Sequence, residues 1–180
     1  LLDDVRTGAA DLALVGVAGA PPTGLEALTI ISESLVAAVP PAHPLAAGPG
    51  GGSGGGGGST TLAGLAEHPV VSLPPGTGVR AAFDRACAAA DVRPHIAFEA
   101  SAPDAVADLA QRGLGVAVLS QTMAGDHEGR LVPVALADAD IPTLLALVWR
   151  PEHSPAVREL VRHCRTAFGA GRRTPASSPS

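Results

Sequence analysis

The sequence predicts an α/β protein in which short parallel strands alternate with helices, and three observations carry that reading. Residues 70–119 hold three apolar runs of strand length, Val70–Leu73, His95–Ala100 and Gly115–Leu119. Between them lie two stretches whose apolar residues recur at a period near 3.6, the mark of an amphipathic helix. Pro, Gly or Ser stands at the junctions, where turns and helix ends need them. Strand and helix alternating in this way argue for a parallel sheet with helical crossovers.

Taken in order, Leu1–Thr7 reads as a helix that begins without a cap and is broken by Gly8. A globular α/β unit needs something ahead of that helix, so the chain reads as truncated on that side. Asp11–Val15 is a strand and Gly16–Gly24 a loop. Leu28–Ile31 and Leu35–Val39 are two strand-like runs, or one long strand bent at Ser32-Glu33-Ser34. Pro40, Pro41 and Pro44 stop regular structure. Gly48–Ser59, GPGGGSGGGGGS, is low complexity and reads as a flexible linker or expanded loop. Leu62–Glu67 is a short helix capped by Thr60 or Thr61.

In the central block, Val79–Ala90 places Val79, Ala82, Phe83, Ala86 and Ala90 on one face, with Arg80, Asp84 and Arg85 off it. Ser101 suits an N-cap, Pro103 a first turn and Asp104 a capping-box position. Ala105, Val106, Leu109 and Ala110 form the inner face of that helix, and Gly113 closes it. Gln121–Arg130 reads as a polar connection. Leu131–Leu136 and Leu144–Trp149 are strands, with Asp138 and Asp140 in the turn between them. Ser154 caps a last helix whose apolar face is Val157, Leu160, Val161, Cys164 and Phe168. Gly171–Ser180 reads as a disordered tail.

Composition narrows the function. The chain of 180 residues is 46% hydrophobic but only 2% aromatic, with no Tyr, so its core rests on Ala, Val and Leu. The net charge is −5 and all 12 basic residues are Arg, which is not the basic footprint of a nucleic-acid surface. Arg158, Arg162, Arg165, Arg172 and Arg173 read as a solvated helix face and tail. Cys87 and Cys164 read as small buried thiols, and two cysteines favour a reducing cytosol over export. No apolar run approaches the roughly 18 residues of a membrane span.

Two loops aim at a ligand. Pro74-Pro75-Gly76-Thr77-Gly78 opens one helix and Ser101 opens the next. Helix N-termini present unpaired N–H groups and a positive dipole end, which bind carboxylates and phosphates. Thr77 adds a hydroxyl and Arg80 a positive charge one turn in. Both loops follow the carboxyl ends of predicted parallel strands, where open α/β sheets bind ligands. Gly76, Thr77, Gly78 and Ser101, with Gly16 after the first strand, are therefore the candidate ligand-binding residues. The competing reading is that Thr77 and Ser101 only cap their helices.

Other chemistry is poorly supported. None of the six histidines has metal-ligand spacing with a second His or Cys, and no CxxC occurs. Asp126-His127-Glu128 is the densest polar cluster and reads as a solvated loop. No Ser or Cys has a visible base partner. Gly51-x-Ser53-x-Gly55 matches the hydrolase nucleophile pattern only because it lies in a glycine run. Gly76-x-Gly78-x-x-Ala81 matches the dinucleotide fingerprint, with Glu99 close to the ribose-binding acid position. Pro74 and Pro75 lengthen the turn that the fingerprint needs tight, and too few strand–helix units follow it.

The order of motifs resembles the effector-binding domain of LysR-type transcriptional regulators. Leu2–Val15 (LDDVRTGAADLALV) is similar to the family's "G-x-x-D-x-A-L" helix and strand. Ser32–Ala46 (SESLVAAVPPAHPLA) resembles the stretch ending in "HPLA", and Thr61–Ala66 (TLAGLA) the short helix after it. Val70–Leu119 with "GLGVAVL", then Leu144–Arg150 and the final helix, complete the likeness over about residues 1–169. The resemblance implies a type II periplasmic-binding-protein-like α/β fold. Two lobes, 1–33 plus 123–170 and 34–122, would be joined by two crossover strands, with the first strand and helix missing. It implies a cytoplasmic, non-enzymatic sensor without cofactor or metal. A small, anionic effector would lie in the inter-lobe cleft, faced by Thr77 and Ser101. DNA would be met only through a helix-turn-helix absent from the chain, no membrane would be involved, and the full-length protein would be a homo-oligomer. The alternatives are a solute-binding protein of the same fold and an NAD(P)-dependent enzyme using Gly76–Ala81.

The glycine run has no side chains to pack. Replacing Gly48–Ser59 by a four-residue turn should change stability by less than about 1 kcal/mol in urea unfolding, because loop-closure cost varies slowly with length.

Overall fold

Helix α1 (Leu2–Thr7) ends at Gly8 and leads into strand β1 (Leu12–Ala18). The computed structural model describes residues 1–20, 22–47 and 58–168. Most of the expected linker 48–59 and the whole tail 171–180 lie outside them. By contact density the chain divides into two units: Leu1–Val15, Pro21–Ile31 and Leu145–Ser180, and Gly16–Ala20 with Ser32–Leu144.

The first unit is built on a three-stranded sheet of order β1-β9-β2, with β2 over Glu26–Glu33 and β9 over Thr143–Trp149. Helix α6 (Pro155–Phe168) starts where expected, its first turn bonded from Val157 N–H to Ser154 Oγ at 3.4 Å. Val157 and Val161 bury against Leu147 and Trp149. Leu160 and Phe168, expected on the same apolar face, are 45% and 47% exposed. The buried stripe of this helix is narrower than its apolar residues suggest. Arg150 binds α1 to β1, donating to Ala10 O at 2.9 Å and to Val5 O, with Asp11 at 3.5 Å.

The second unit holds a six-stranded sheet of order β4-β8-β3-β7-β5-β6, comprising β3 (Leu35–Val39), β4 (Ser59–Thr60), β5 (Val70–Ser72), β6 (Ile96–Glu99), β7 (Val116–Ser120) and β8 (Val132–Leu136). The expected parallel core is present: β5 pairs in parallel with both β6 and β7. The sheet as a whole is mixed, because β3 runs antiparallel to β7 and β8. β2 and β3 are separate strands that break at Ser34 and enter different sheets, so the single bent strand is not what forms. β4 begins at Ser59, inside the stretch expected to be linker.

Helices α3 (Gly78–Ala89) and α4 (Pro103–Gln111) connect β5 to β6 and β6 to β7. On α3 the buried residues are Gly78, Val79, Ala82, Phe83, Ala86 and Cys87. Ala90, expected among them, is an exposed cap, and Cys87 takes the inner place. Burial pushes the Cys87 thiol up to about 11, with Asp84 and Asp138 adding to the shift. On α4 Val106 and Ala110 are buried as expected, but Ala105 is exposed and Ala107 is buried in its stead. Gly113 closes α4 as expected: its N–H donates to Ala110 O and that of Leu114 to Leu109 O, at 2.9 and 3.2 Å. This is the Schellman pattern.

Two polar stretches depart from expectation. Gln121–Gly125 forms a fifth helix, α5, capped by Ser120, whose Oγ accepts from Met123 N–H at 3.4 Å. His127 is buried, not solvated. Its Nδ1 accepts from Arg130 at 2.6 Å, and Asp104 Oδ1 lies 3.2 Å from Nε2 without hydrogen-bond alignment. Thr61 is the cap of α2 (Leu62–Ala66), accepting from Gly64 N–H, while Asp138 accepts from Leu62 N–H at 2.8 Å. No helix among the described residues is long and apolar enough to cross a membrane.

Phe83 is fully buried in a core whose other buried side chains are Ala, Val and Leu, with Cys87. Phe83→Ala should cost about 3–5 kcal/mol in urea unfolding, the scale of an unfilled aromatic cavity. Cys164, expected to be buried, is only half-buried; at pH 8 a thiol reagent should label it first and Cys87 only on unfolding, because burial keeps the Cys87 thiol protonated and covered.

Candidate functional site

The second unit brings the loops that the sequence singles out to one end of its sheet. Parallel pairing of β5 with β6, in the register Ser72↔Glu99, sets the loop after β5 beside the loop after β6. Ala100 N–H donates across that junction to Ser72 O at 3.1 Å. β5 lies between β7 and β6. The connection from β5 runs toward β6, whereas that from β7 runs away across β3 to β8. The point between β5 and β7 is thus a switch point of the kind at which open α/β sheets bind ligands.

Helix α3 begins at this point. Thr77 is its N-cap: the Oγ1 accepts from Arg80 N–H at 3.3 Å and donates to Pro74 O at 3.0 Å. Its hydroxyl proton is therefore already placed, and one oxygen lone pair remains. The N–H groups of Gly78 and Val79 have no hydrogen-bond partner among the described residues, as the first turn of a helix requires. Gly76 lies in the turn with φ +93, and a Cβ there would meet nothing within 4 Å.

Gly78 and Gly16 meet through their backbones. A Cβ on Gly78 would lie 2.5 Å from Gly16 C and 2.7 Å from Val17 N, a distance only glycine permits. Gly16 is part of β1 and not of a loop, so the expected loop begins too early. Arg85, which the sequence places off the apolar face of its helix, strengthens the contact by donating to Ala18 O at 2.7 Å.

Ser101 is exposed and does not cap α4. The N-cap is Ala102, which has no side-chain hydrogen bond, and Asp104 turns to His127. The extra residue between strand and helix moves the cap by one position and leaves the Ser101 hydroxyl without a described partner. Arg80 does not stand free at the helix start. It pairs with Asp84 at 2.9 Å and with Glu99, and donates to Leu73 O. Burial opposes its charge, yet the bonds to Glu99 and Asp84 outweigh that and raise its pKa. Two carboxylates thus compensate one guanidinium, and positive potential at the loop comes from the helix N–H groups. Glu99 is engaged with Arg80, not left open as a ribose-binding acid.

Sequence reading missed Ser72, at the end of β5. It is fully buried and its Oγ has no partner among the described residues. Its position one residue before the Leu73–Thr77 turn is the one signal that could have marked it. No group of three or more His, Cys, Asp or Glu side chains among the described residues could hold a metal.

The sequence model described as the LysR substrate binding domain matches residues 1–169. YnfL of Escherichia coli K12, an uncharacterized HTH-type transcriptional regulator, is 30% identical over 151 residues, or 82% of this chain and 48% of that protein. Among solved structures, the regulatory domain of Synechocystis PCC6803 CcmR in complex with 2-PG gives a TM-score of 0.74 at 19% identity, covering 97% of this chain and 80% of that one. The effector binding domain of QuiR in complex with shikimate gives 0.73 at 17% identity, covering 94% and 77%. At these identities the structural likeness is one of fold, and the fold is that of LysR effector-binding domains, type II periplasmic-binding-protein-like. The chain spans about half the length of the curated relatives it matches. Matched along residues 1–169 by the family's own sequence model, the chain belongs to the LysR substrate-binding domain family.

Proposed function

We propose that this chain is the effector-sensing part of a LysR-type transcriptional regulator. A small anion settles on the Gly76–Gly78 loop, and DNA is read by a helix-turn-helix outside these residues. The observation that carries the reading is the start of α3: open backbone at Gly76, unpaired N–H groups at Gly78 and Val79, and rigid support from Gly16. Unpaired N–H groups at the positive end of a twelve-residue helix favour a carboxylate or phosphate. The Ser101 hydroxyl borders the same end of the sheet and can donate to an anion, as can that of Thr77 once it turns from Pro74 O. The role is binding, not catalysis, and the working form is a cytoplasmic homo-oligomer. The relatives' names, HTH-type transcriptional regulators, support the assignment to DNA control.

A calorimetric screen of small carboxylates and phosphate monoesters should yield a ligand. To reach that ligand the Thr77 hydroxyl turns its proton from Pro74 O to the anion, so Thr77→Val should weaken binding by about 1 kcal/mol, the net worth of exchanging a neutral acceptor for a charged one. The same change should lower stability by about 1 kcal/mol through the lost cap, so Thr77→Ser, which keeps the cap, serves as its partner. Ser101→Ala should weaken binding with no loss of stability, since Ser101 caps nothing. Equal affinity in wild type, Thr77→Val and Ser101→Ala would remove the site from this loop.

A further inference from the structure

The arginines near the end of the chain do more than solvate a helix. Arg158, Arg162 and Arg165 recur at i, i+4 and i+7 on α6 and line one depression of about 480 Å³ in the first unit, together with Trp149, His153 and Glu26. Small-ligand sites commonly measure about 300–1,000 Å³. Every residue that lines the depression belongs to the first unit.

Its charge is not internally balanced. Three arginines face one glutamate. Arg162 is bonded to Glu159, with Nε 3.0 Å from Oε2. The guanidinium groups of Arg158 and Arg165 have no hydrogen bond or ion pair among the described residues. Arg165 sits 5.9 Å from the centroid of the Trp149 ring, a cation–π placement that steadies the group without neutralising it. His153 Nδ1 lies 3.1 and 2.8 Å from the carbonyl oxygens of Arg150 and Pro151. Carbonyls only accept, so Nδ1 carries the proton and Nε2 is left for another partner. The His153 ring meets Trp149 edge-on at 6.5 Å.

Two uncompensated guanidinium groups, an imidazole nitrogen and an indole floor recognise a small molecule with two negative charges and an organic body. We infer that this depression is a second binding site, for a small organic dianion. Its residues are Arg158 and Arg165, with His153 and Trp149 orienting the ligand.

Trp149 is the chain's one tryptophan, so the emission comes from a side chain that lines this depression. The 180-residue chain is titrated with phenyl phosphate and with phthalate, against sodium chloride at matched ionic strength, with heats of binding measured in parallel. Either probe should give a saturable change that chloride does not. Arg158→Gln and Arg165→Gln should each weaken it about three- to tenfold, and the double variant should abolish it. Both positions are exposed on α6, so unfolding midpoints should hold, and Arg158→Lys, which keeps the charge, should retain most of the binding. A response equal to that of chloride, or one that survives the double substitution, overturns the proposal. So does a response lost in Thr77→Val, which would put the probe on the other loop.

Discussion

A core almost without aromatic side chains has to be filled by bringing backbones close together, and much of the second unit follows from that constraint. Interiors are packed to near-crystalline density, and where side chains are small the elements must approach. Strands β3 and β7 are buried at every residue, with Ala and Val predominating. Helix α3 offers Ala82 and Ala86 to the sheet around a single large plug, Phe83. At Gly115 a Cβ would fall 2.6 Å from Pro69 O. At Gly78 the approach is closer still, and it presses the start of α3 onto the end of β1. The Gly76–Gly78 turn is therefore held by the same scarcity of bulky residues that shapes the core.

The loop's electrostatics are those of backbone, not of side chains. Arg80 is turned inward and balanced by Asp84 and Glu99, so it braces β5, β6 and α3 against one another. Thr77 is committed to its own turn. What remains is a pair of unpaired N–H groups, those of Gly78 and Val79, on a frame held against Gly16.

The first unit shows the opposite arrangement. There the cationic groups are long, exposed arginines on α6 above one indole ring, and one of them already has a carboxylate partner. Placing a net positive surface on a chain of net charge −5 makes that helix stand out electrostatically. It also explains why Leu160 and Phe168 add so little to the core: only the Val157–Val161 stripe faces the sheet, and the remaining surface of the helix is given over to charge.

The sequence by itself determined what depends on neighbours within about four residues. Periodicity located α3, α4 and α6, the cap of α2 was narrowed to Thr60 or Thr61, Thr77 stood at a helix start, Gly113 closed α4, and short apolar runs marked the three parallel strands. The turn at Gly76–Gly78 could be found because a helix start is written locally. Tertiary structure decided whatever needs a partner far along the chain. Asp138 caps α2 from 76 positions away, and Glu33 binds Thr122 across 89. No local pattern announces such contacts, just as none announces that β3 turns antiparallel or that His127 is buried beneath Asp104. Ser101 lost its cap to a one-residue shift that propensity alone cannot resolve. Gly16 passed for loop because a glycine's need for space is visible only once the backbone it must admit, that of Gly78, has been brought against it.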